Sequence, residues 1–486
     1  MATNRIGDVV VRQNVIELKT VEQTPKIFSQ EVLLTPLGER RKKDDAWDNS
    51  YYLDRQAGFE SNARTYPRKL PIAICRAEGV YVEDADGRRY IDCLAGAGAL
   101  ALGHRHPVAV DAVQRAVADG TPWQTLDLTT PVKDAFVHEL FRCFNSDFAA
   151  SARIQFCGPS GADAIEAALK LVKTATGRRS ILAFHGAYHG MTHGALGITG
   201  EIGPKASVAG LMPEVHFLPF PYSYRCPFSL GGEPGWRASL SYIDRLLADS
   251  NSGIAPPAAM ILEAVQGEGG VIPAPDDWLR GMRRITRKYD IPLIIDEVQT
   301  GIGRTGNMFA FERAGIEPDV VVLSKAVGGG LPLSVVVYHE NLDRWQPGAH
   351  AGTFRGNQLA MAAGAATLRF IREHRLDHHA EIMGERLMNH LRCIQAGCPA
   401  IGEVRGRGLM IGIEIIDPHA ARDELGAHPP CSESARRIQR NCLKRGLILE
   451  LGGRQGSVAR LLPPLIVTEN NIDQIAAIFR EAAYAA

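Results

Sequence analysis

The sequence predicts an α/β fold built on a mostly parallel sheet, followed by a smaller α+β unit. Two observations carry this. Short continuous apolar runs, "AAMILEAV" (258–265), "PLIIDEV" (292–298) and "DVVVLSKA" (319–326), alternate with helical stretches such as 162–176. Runs of that length without polar alternation suit strands buried on both faces, the condition of a parallel sheet covered by helices. Beyond about residue 355, helical patterns lead into "GEVRGRGLMIGIEII" (402–416), a further helix over 432–445 and "GLILELGG" (446–453), the mixture expected of a separate α+β unit.

Taken in order, residues 1–60 read as an N-terminal arm, with the charge run Arg40–Asp45 and the aromatics Trp47, Tyr51 and Tyr52 but weak periodicity. "GVYVEDADGRRYIDCLAG" (79–96) reads as two short strands around the turn Asp86-Gly87. The whole chain of 486 residues is 45% hydrophobic, enough for a large core in a soluble globular protein. Lys plus Arg (54) balances Asp plus Glu (54), so no summed field favours nucleic acid, and no polybasic cluster suggests a membrane surface. A small-molecule ligand is the expectation. The 9 cysteines are scattered without a C-x-x-C pair, which suits free thiols in a reducing compartment and offers no zinc pattern. The first residues mix charges into every apolar stretch and no apolar run reaches membrane-spanning length, so the cytoplasm is the expected location.

The ends of the apolar runs carry the chemistry, because ligands of open parallel sheets sit at the carboxyl ends of strands. "PLIIDEVQ" ends on Asp296 and "VVVLSKAVGGG" on Lys325. A lysine there is costly to bury charged, and neutralised it is a nucleophile that condenses with carbonyls to form a Schiff base. An aspartate that holds a pyridinium nitrogen is its usual partner in pyridoxal phosphate enzymes. The plainer reading is that Lys325 reaches the surface and Asp296 caps a loop. "FCGPSGADAIEAALKLVKTATGR" (156–178) places Ala164, Ala167, Ala168, Leu171 and Val172 on one helical face, with Ser160 as N-cap and Asp163 in capping-box spacing. The amides of such a first turn bind anions, although a well-capped helix without a ligand has the same pattern. Tyr188 in "FHGAYHGMTHG" (184–194) suits either a stack on a heteroaromatic ring or a place in the core. Gly301-x-Gly303-x-x-Gly306 has dinucleotide-finger spacing, but "NMFAFERAG" after it stops at Gly315, too short for the helix a pyrophosphate needs. The glycine run is expected to be a turn, with Asp296 before it as the working residue.

Together these residues resemble the class III aminotransferases, pyridoxal phosphate enzymes of fold type I, from about residue 65 to the C-terminus. "YHG", "VQGEGGV", "IIDEVQTGIGRTG", "PDVVVLSKAVGGGLP" and "GTFRGNQLA" stand in family order and spacing. Within the family, "YPRKLP" (66–71), the 156–178 segment and "AYHGMTHGAL" are most similar to the branch acting on diaminobutyrate and 2-oxoglutarate. The resemblance implies a large domain (126–365) with a mostly parallel seven-stranded sheet, and a small α+β domain assembled from 61–125 and 366–486. It implies ping-pong transfer of the terminal amine of L-2,4-diaminobutyrate to 2-oxoglutarate, reversibly giving L-aspartate 4-semialdehyde and L-glutamate. Another ω-amino acid or diamine transaminase, of the 4-aminobutyrate, ornithine or taurine type, is the alternative, followed by a non-catalytic binding protein of the same fold.

Residue by residue, the resemblance implies that Lys325 holds the cofactor and shuttles the proton, while Asp296 keeps the pyridine nitrogen protonated. Val298 and Tyr188 would sandwich the ring and Gln299 would bond its phenolic oxygen. Ser160, Gly161 and Ala162 would hold the phosphate, joined by Thr353 from a second subunit, so that a homodimer with shared active sites follows. Arg460 would bind the carboxylate of 2-oxoglutarate or glutamate, and Glu268 would cover that arginine when the amine donor is bound. Two departures stand out. Gly161-Ala162-Asp163-Ala164 replaces the Gly-Ser-Glu-Ala of many relatives, so the phosphate must rest on amides and Ser160. Met191 stands where relatives using 4-aminobutyrate or ornithine carry an arginine, so the second carboxylate anchor is absent.

Overall fold

Strands form where the apolar runs predict them, and each buries both faces. Ala259–Leu262, Leu293–Asp296 and Val320–Leu323 are buried at every position. They lie in a seven-stranded sheet in the order Ala152–Phe156, Val335–His339, Val320–Leu323, Leu293–Asp296, Ala259–Leu262, Ile181–Phe184, Val215–Leu218. Six strands run parallel and Val335–His339 runs against its two neighbours. The register sets Asp296 beside Val322, so the polar ends of neighbouring strands come out at one edge. Alternate residues along each strand enter different cores. Leu182, Met260, Leu262, Leu293, Ile295, Val321 and Leu323 face one side. Ile181, Ala183, Ala259, Ile261, Ile294, Val320 and Val322 face the other, under the helix Gly161–Thr176. Each large aliphatic side chain so buried contributes roughly 1.5–3 kcal/mol, which is why such runs exclude polar residues until the strand ends.

The computed structural model describes residues 47–486. Of the expected arm only its end falls in this range, where Asn49–Phe59 is a helix whose N-cap Asp48 accepts the Tyr51 amide. The charge run Arg40–Asp45 lies outside the described residues. The helix Gly161–Thr176 has the expected cap, with Ser160 and Asp163 bonding reciprocally, and ends on Gly177 in the left-handed region at φ 68°. The glycine run forms turns rather than a nucleotide finger. Gly303 and Gly306 have φ of 85° and 93°, and the next element is one short 3₁₀ segment, Ala310–Ala314, stopped by Gly315.

The hairpin around Asp86-Gly87 is present, with Tyr81–Asp84 paired to Arg89–Asp92. Leu447–Ile448 joins it in parallel beside Ile91 and Asp92, drawing two segments far apart in sequence into one sheet. A second, antiparallel sheet orders Ile401–Arg407, Met410–Ile415, Val458–Leu461 and Glu450–Gly452. Its last pair sets Glu450 directly opposite Arg460. The helices Leu376–Gly397, Ser432–Lys444 and Glu469–Tyr484 accompany these strands. All nine cysteines are free, and among the described residues no helix is long and apolar enough to cross a membrane.

Candidate active site

Asp296 is the last residue of its strand and is buried. Its Oδ1 accepts the Val298 amide at 3.0 Å. Its Oδ2 lies 2.8 Å from Nδ1 of His189, also buried. A carboxylate has about four acceptor positions, so these contacts orient Asp296 and leave it able to take another donor. Nε2 of His189 is buried with no partner among the described residues. At the end of the adjacent strand, Glu263 accepts the amides of Tyr188 at 3.0 Å and Gly267 at 2.9 Å. Burial pushes its carboxyl up to about 7, against the pull of His189. Sequence reasoning missed both residues. Glu263 ends the run "AAMIL" and the strand-end criterion applied to Asp296 would have found it; a single histidine in a loop gave no comparable signal.

Lys325 follows Val320–Leu323 at φ 51°, a region that non-glycine residues enter at a cost of order 1 kcal/mol or more. The turn it opens packs closely, since a Cβ on Gly329 would lie 2.7 Å from the Ala363 carbonyl oxygen. Burial lowers the pKa of the Lys325 ammonium, and the charges of Glu268 and Asp296 only partly offset this. The amine is therefore easier to deprotonate than an ordinary lysine. Lys325 is partly buried, and the carboxylates of Glu268, Asp296 and Glu450 act on its charge.

The first turn of Gly161–Thr176 opens beside these groups. A Cβ on Gly161 would lie 2.9 Å from a methyl of Val298, so only glycine lets that side chain approach the turn. A Cβ on Gly190 would lie 2.5 Å from that of Ala162. Ser160 is partly committed, because its amide and hydroxyl donate to Asp163 Oδ2 at 3.1 and 2.7 Å. The amides of Gly161 and Ala162, the first two of the helix, have no acceptor among the described residues. Gln299 donates to the Ala97 carbonyl at 3.1 Å, while its buried Oε1 has no partner among the described residues. Tyr188 is half-buried. Met191 is 54% exposed. Thr353 stands on an exposed segment, its carbonyl taken by the Gln124 side chain, and it bonds to none of these residues.

Arg460 is fully buried, and its Nη2 donates to Glu268 Oε1 at 2.6 Å and Glu450 Oε2 at 2.5 Å. Its Nε and Nη1 have no partner among the described residues. The carboxylates differ in freedom. The Glu268 side chain is 30% exposed, whereas that of Glu450 is 7% exposed and also accepts the Tyr66 hydroxyl at 3.0 Å. Burial pushes Glu268 up, but Arg460 and Lys325 outweigh it and hold the carboxyl below its ordinary value. Around Glu268 the main chain is pinned on both sides. Glu263 takes the Gly267 amide, and Arg405 donates to the Gly270 carbonyl at 2.7 Å from Nη2 and 3.1 Å from Nε. The backbone on both sides of Glu268 is thus held in place, while its side chain reaches partly into solvent.

The fold and this edge, with a strand-end lysine, a buried aspartate held by histidine and free amides at a helix start, define a pyridoxal 5′-phosphate site. The residues fit that cofactor: the free amides and the close approach at Gly161 suit a phosphate beside Val298, and Asp296 keeps acceptor capacity for a ring nitrogen. The chain belongs to the class III aminotransferases, whose sequence profile matches residues 62–483. A diaminobutyrate–2-oxoglutarate aminotransferase of Rhizobium meliloti (strain 1021) is 58% identical over 428 residues, covering 88% of this chain and 91% of that protein. Its namesake from Haemophilus influenzae (strain KW20 / Rd) is 51% identical over 434 residues, covering 89% and 95%. The solved structure of an amine transaminase from an uncultivated Pseudomonas species, with pyridoxal phosphate bound, superposes with a TM-score of 0.77 at 26% identity, covering 88% of this chain and 98% of the other.

Proposed function

We propose that this aminotransferase moves the terminal amino group of L-2,4-diaminobutyrate to 2-oxoglutarate by a ping-pong mechanism, giving L-aspartate 4-semialdehyde and L-glutamate, and reversibly. The observation that carries the reading is buried Arg460 paired with a partly exposed Glu268, an arrangement that a substrate with a carboxylate at that point can enter by displacing Glu268 and that a donor without one leaves closed. The two relatives above half identity, both named for this reaction, support it.

Pyridoxal phosphate supplies, when bound, a carbonyl carbon that carries the amino group between substrates and a ring that accepts carbanion charge. Lys325 anchors it and, being easier to deprotonate than a free lysine, moves the proton at the reacting substrate carbon. Asp296, oriented by His189 and the Val298 amide, holds a proton at the ring nitrogen. The Gly161 and Ala162 amides bind the phosphate, with Ser160 as the cap that shapes their turn. Val298 and Tyr188 flank the ring, and Gln299 is the residue for its phenolic oxygen. Arg460 binds the carboxylate of 2-oxoglutarate once Glu268 swings aside, and Glu268 returns over it when the donor is bound. Thr353 completes the phosphate site of a second copy, so the working unit is a homodimer, with the cytoplasm as its place of work. In this reading 126–365 form the large cofactor-binding domain, and 61–125 with 366–486 form the small one.

An amine-donor screen of the purified holoenzyme with 2-oxoglutarate tests the reading. L-2,4-Diaminobutyrate should give the highest kcat/KM. A higher value for 4-aminobutyrate, ornithine or taurine would move the assignment to that substrate, and no turnover with any donor would leave a binding protein.

A further inference from the structure

Glu450 is a carboxylate on Arg460 to which the proposed function gives no task. It shares Nη2 of Arg460 with Glu268, yet it cannot leave as Glu268 can. Cross-strand register sets it opposite Arg460, its second oxygen takes the Tyr66 hydroxyl at 3.0 Å, and its side chain is 7% exposed. With Glu268 in place, two carboxylates face one guanidinium, so these three side chains sum to one negative charge. With Glu268 swung aside, Glu450 still neutralises Arg460, and an incoming carboxylate takes the Nη2 hydrogen that Glu268 gives up together with the neighbouring Nε or Nη1, neither of which has a partner among the described residues.

The two donors that the chemistry must tell apart, L-2,4-diaminobutyrate and 4-aminobutyrate, share a terminal amine and a carboxylate. They differ only in the α-ammonium. An anionic wall attracts an ammonium and repels a lone carboxylate, and Met191 offers no compensating cation. We infer that Glu450 is a specificity-determining residue that selects donors carrying an ammonium at the end remote from the reacting amine. The inference rests on the proposed function for its substrate and extends it to the residue that does the selecting.

Glu450→Gln removes the charge while leaving an oxygen for Arg460, and Glu450→Asp keeps the charge. Steady-state kinetics of the holoenzymes should show the kcat/KM preference for L-2,4-diaminobutyrate over 4-aminobutyrate falling at least about tenfold in Glu450→Gln and persisting in Glu450→Asp. Calorimetric titration with glutarate, a dicarboxylate that cannot react, should show at least about tenfold tighter binding to Glu450→Gln, where a merely structural role would weaken it. An unchanged donor ratio together with weaker glutarate binding would overturn the inference. Should neither substituted chain fold, competition in the wild type decides. L-2-Aminobutyrate should inhibit use of L-2,4-diaminobutyrate at least about tenfold better than butyrate, and equal inhibition overturns the inference. A wild type that prefers another diamino acid, such as ornithine, would refute the proposed substrate but not the role of Glu450; one that prefers 4-aminobutyrate refutes both.

Discussion

Replacing Arg460 with lysine separates the two halves of the reaction. The guanidinium is fully buried and spends Nη2 on Glu268 and Glu450; when Glu268 leaves, the Nη2 hydrogen it gives up forms a fork for an incoming carboxylate with the neighbouring Nε or Nη1, neither of which has a partner among the described residues. Lysine keeps the positive charge, so neither carboxylate is left facing a neutral side chain and the fold should survive. What it cannot reproduce is the fork, because an ammonium is a compact point charge rather than a planar pair of parallel donors. Losing one charge-assisted bond costs about 1.5–3 kcal/mol, which is roughly ten- to 150-fold in affinity for 2-oxoglutarate. The donor half-reaction places no carboxylate on Arg460 and should change by less than about threefold, well below that range. Stopped-flow absorbance of the bound cofactor, with each substrate added alone in single turnovers, reports the two halves separately. Equal losses in both would refute the claim that Arg460 and Glu268 switch between substrates.

Three further outcomes follow from the same geometry. Lys325→Ala should lose the absorbance of the covalently held cofactor and turnover together, whereas Asp296→Asn should keep the cofactor and lose most activity; normal turnover by Lys325→Ala would remove the assignment of the anchor. The wild type should prefer L-2,4-diaminobutyrate to 4-aminobutyrate by at least about tenfold, the worth of the missing carboxylate anchor, and Met191→Arg should narrow the gap; comparable use of both donors by the wild type would contradict it. Glu297, buried with Phe311 N and Thr300 Oγ1 as its donors, has its carboxyl pushed up by burial to about 7 from 4.5. The stability it contributes is fully present below 4.5 and is lost as pH rises through 7. Glu297→Gln should therefore gain on the wild type by about 1 kcal/mol or more between pH 5 and pH 8 in urea unfolding, and a difference that does not change with pH would count against a proton held there.

The strands at 259–262, 293–296 and 320–323 and the helix over 161–176 could be read from the chain because each rests on neighbours in sequence. A continuous apolar run can only be buried on both faces, and Ser160 caps a helix whose Asp163 lies three residues away. Asp296 and Lys325 were legible for the same reason, since a polar residue ending such a run must either reach solvent or meet chemistry. The Arg460–Glu268 pair came instead through family resemblance, and the structure brings its members to 2.6 Å.

His189, Glu450 and Arg405 were not legible. His189 meets Asp296 across 107 positions. Arg405 reaches the Gly270 carbonyl across 135. Glu450 opposes Arg460 only because the intervening turn and sheet register align them. A buried charge identifies itself locally by its cost, but its partner is chosen by which strands and loops the fold brings together. The chain by itself therefore determined the sheet, the capped helix and the strand-end groups, and tertiary structure alone decided which side chains orient Asp296, which pin the backbone on either side of Glu268, and which carboxylate stays on Arg460.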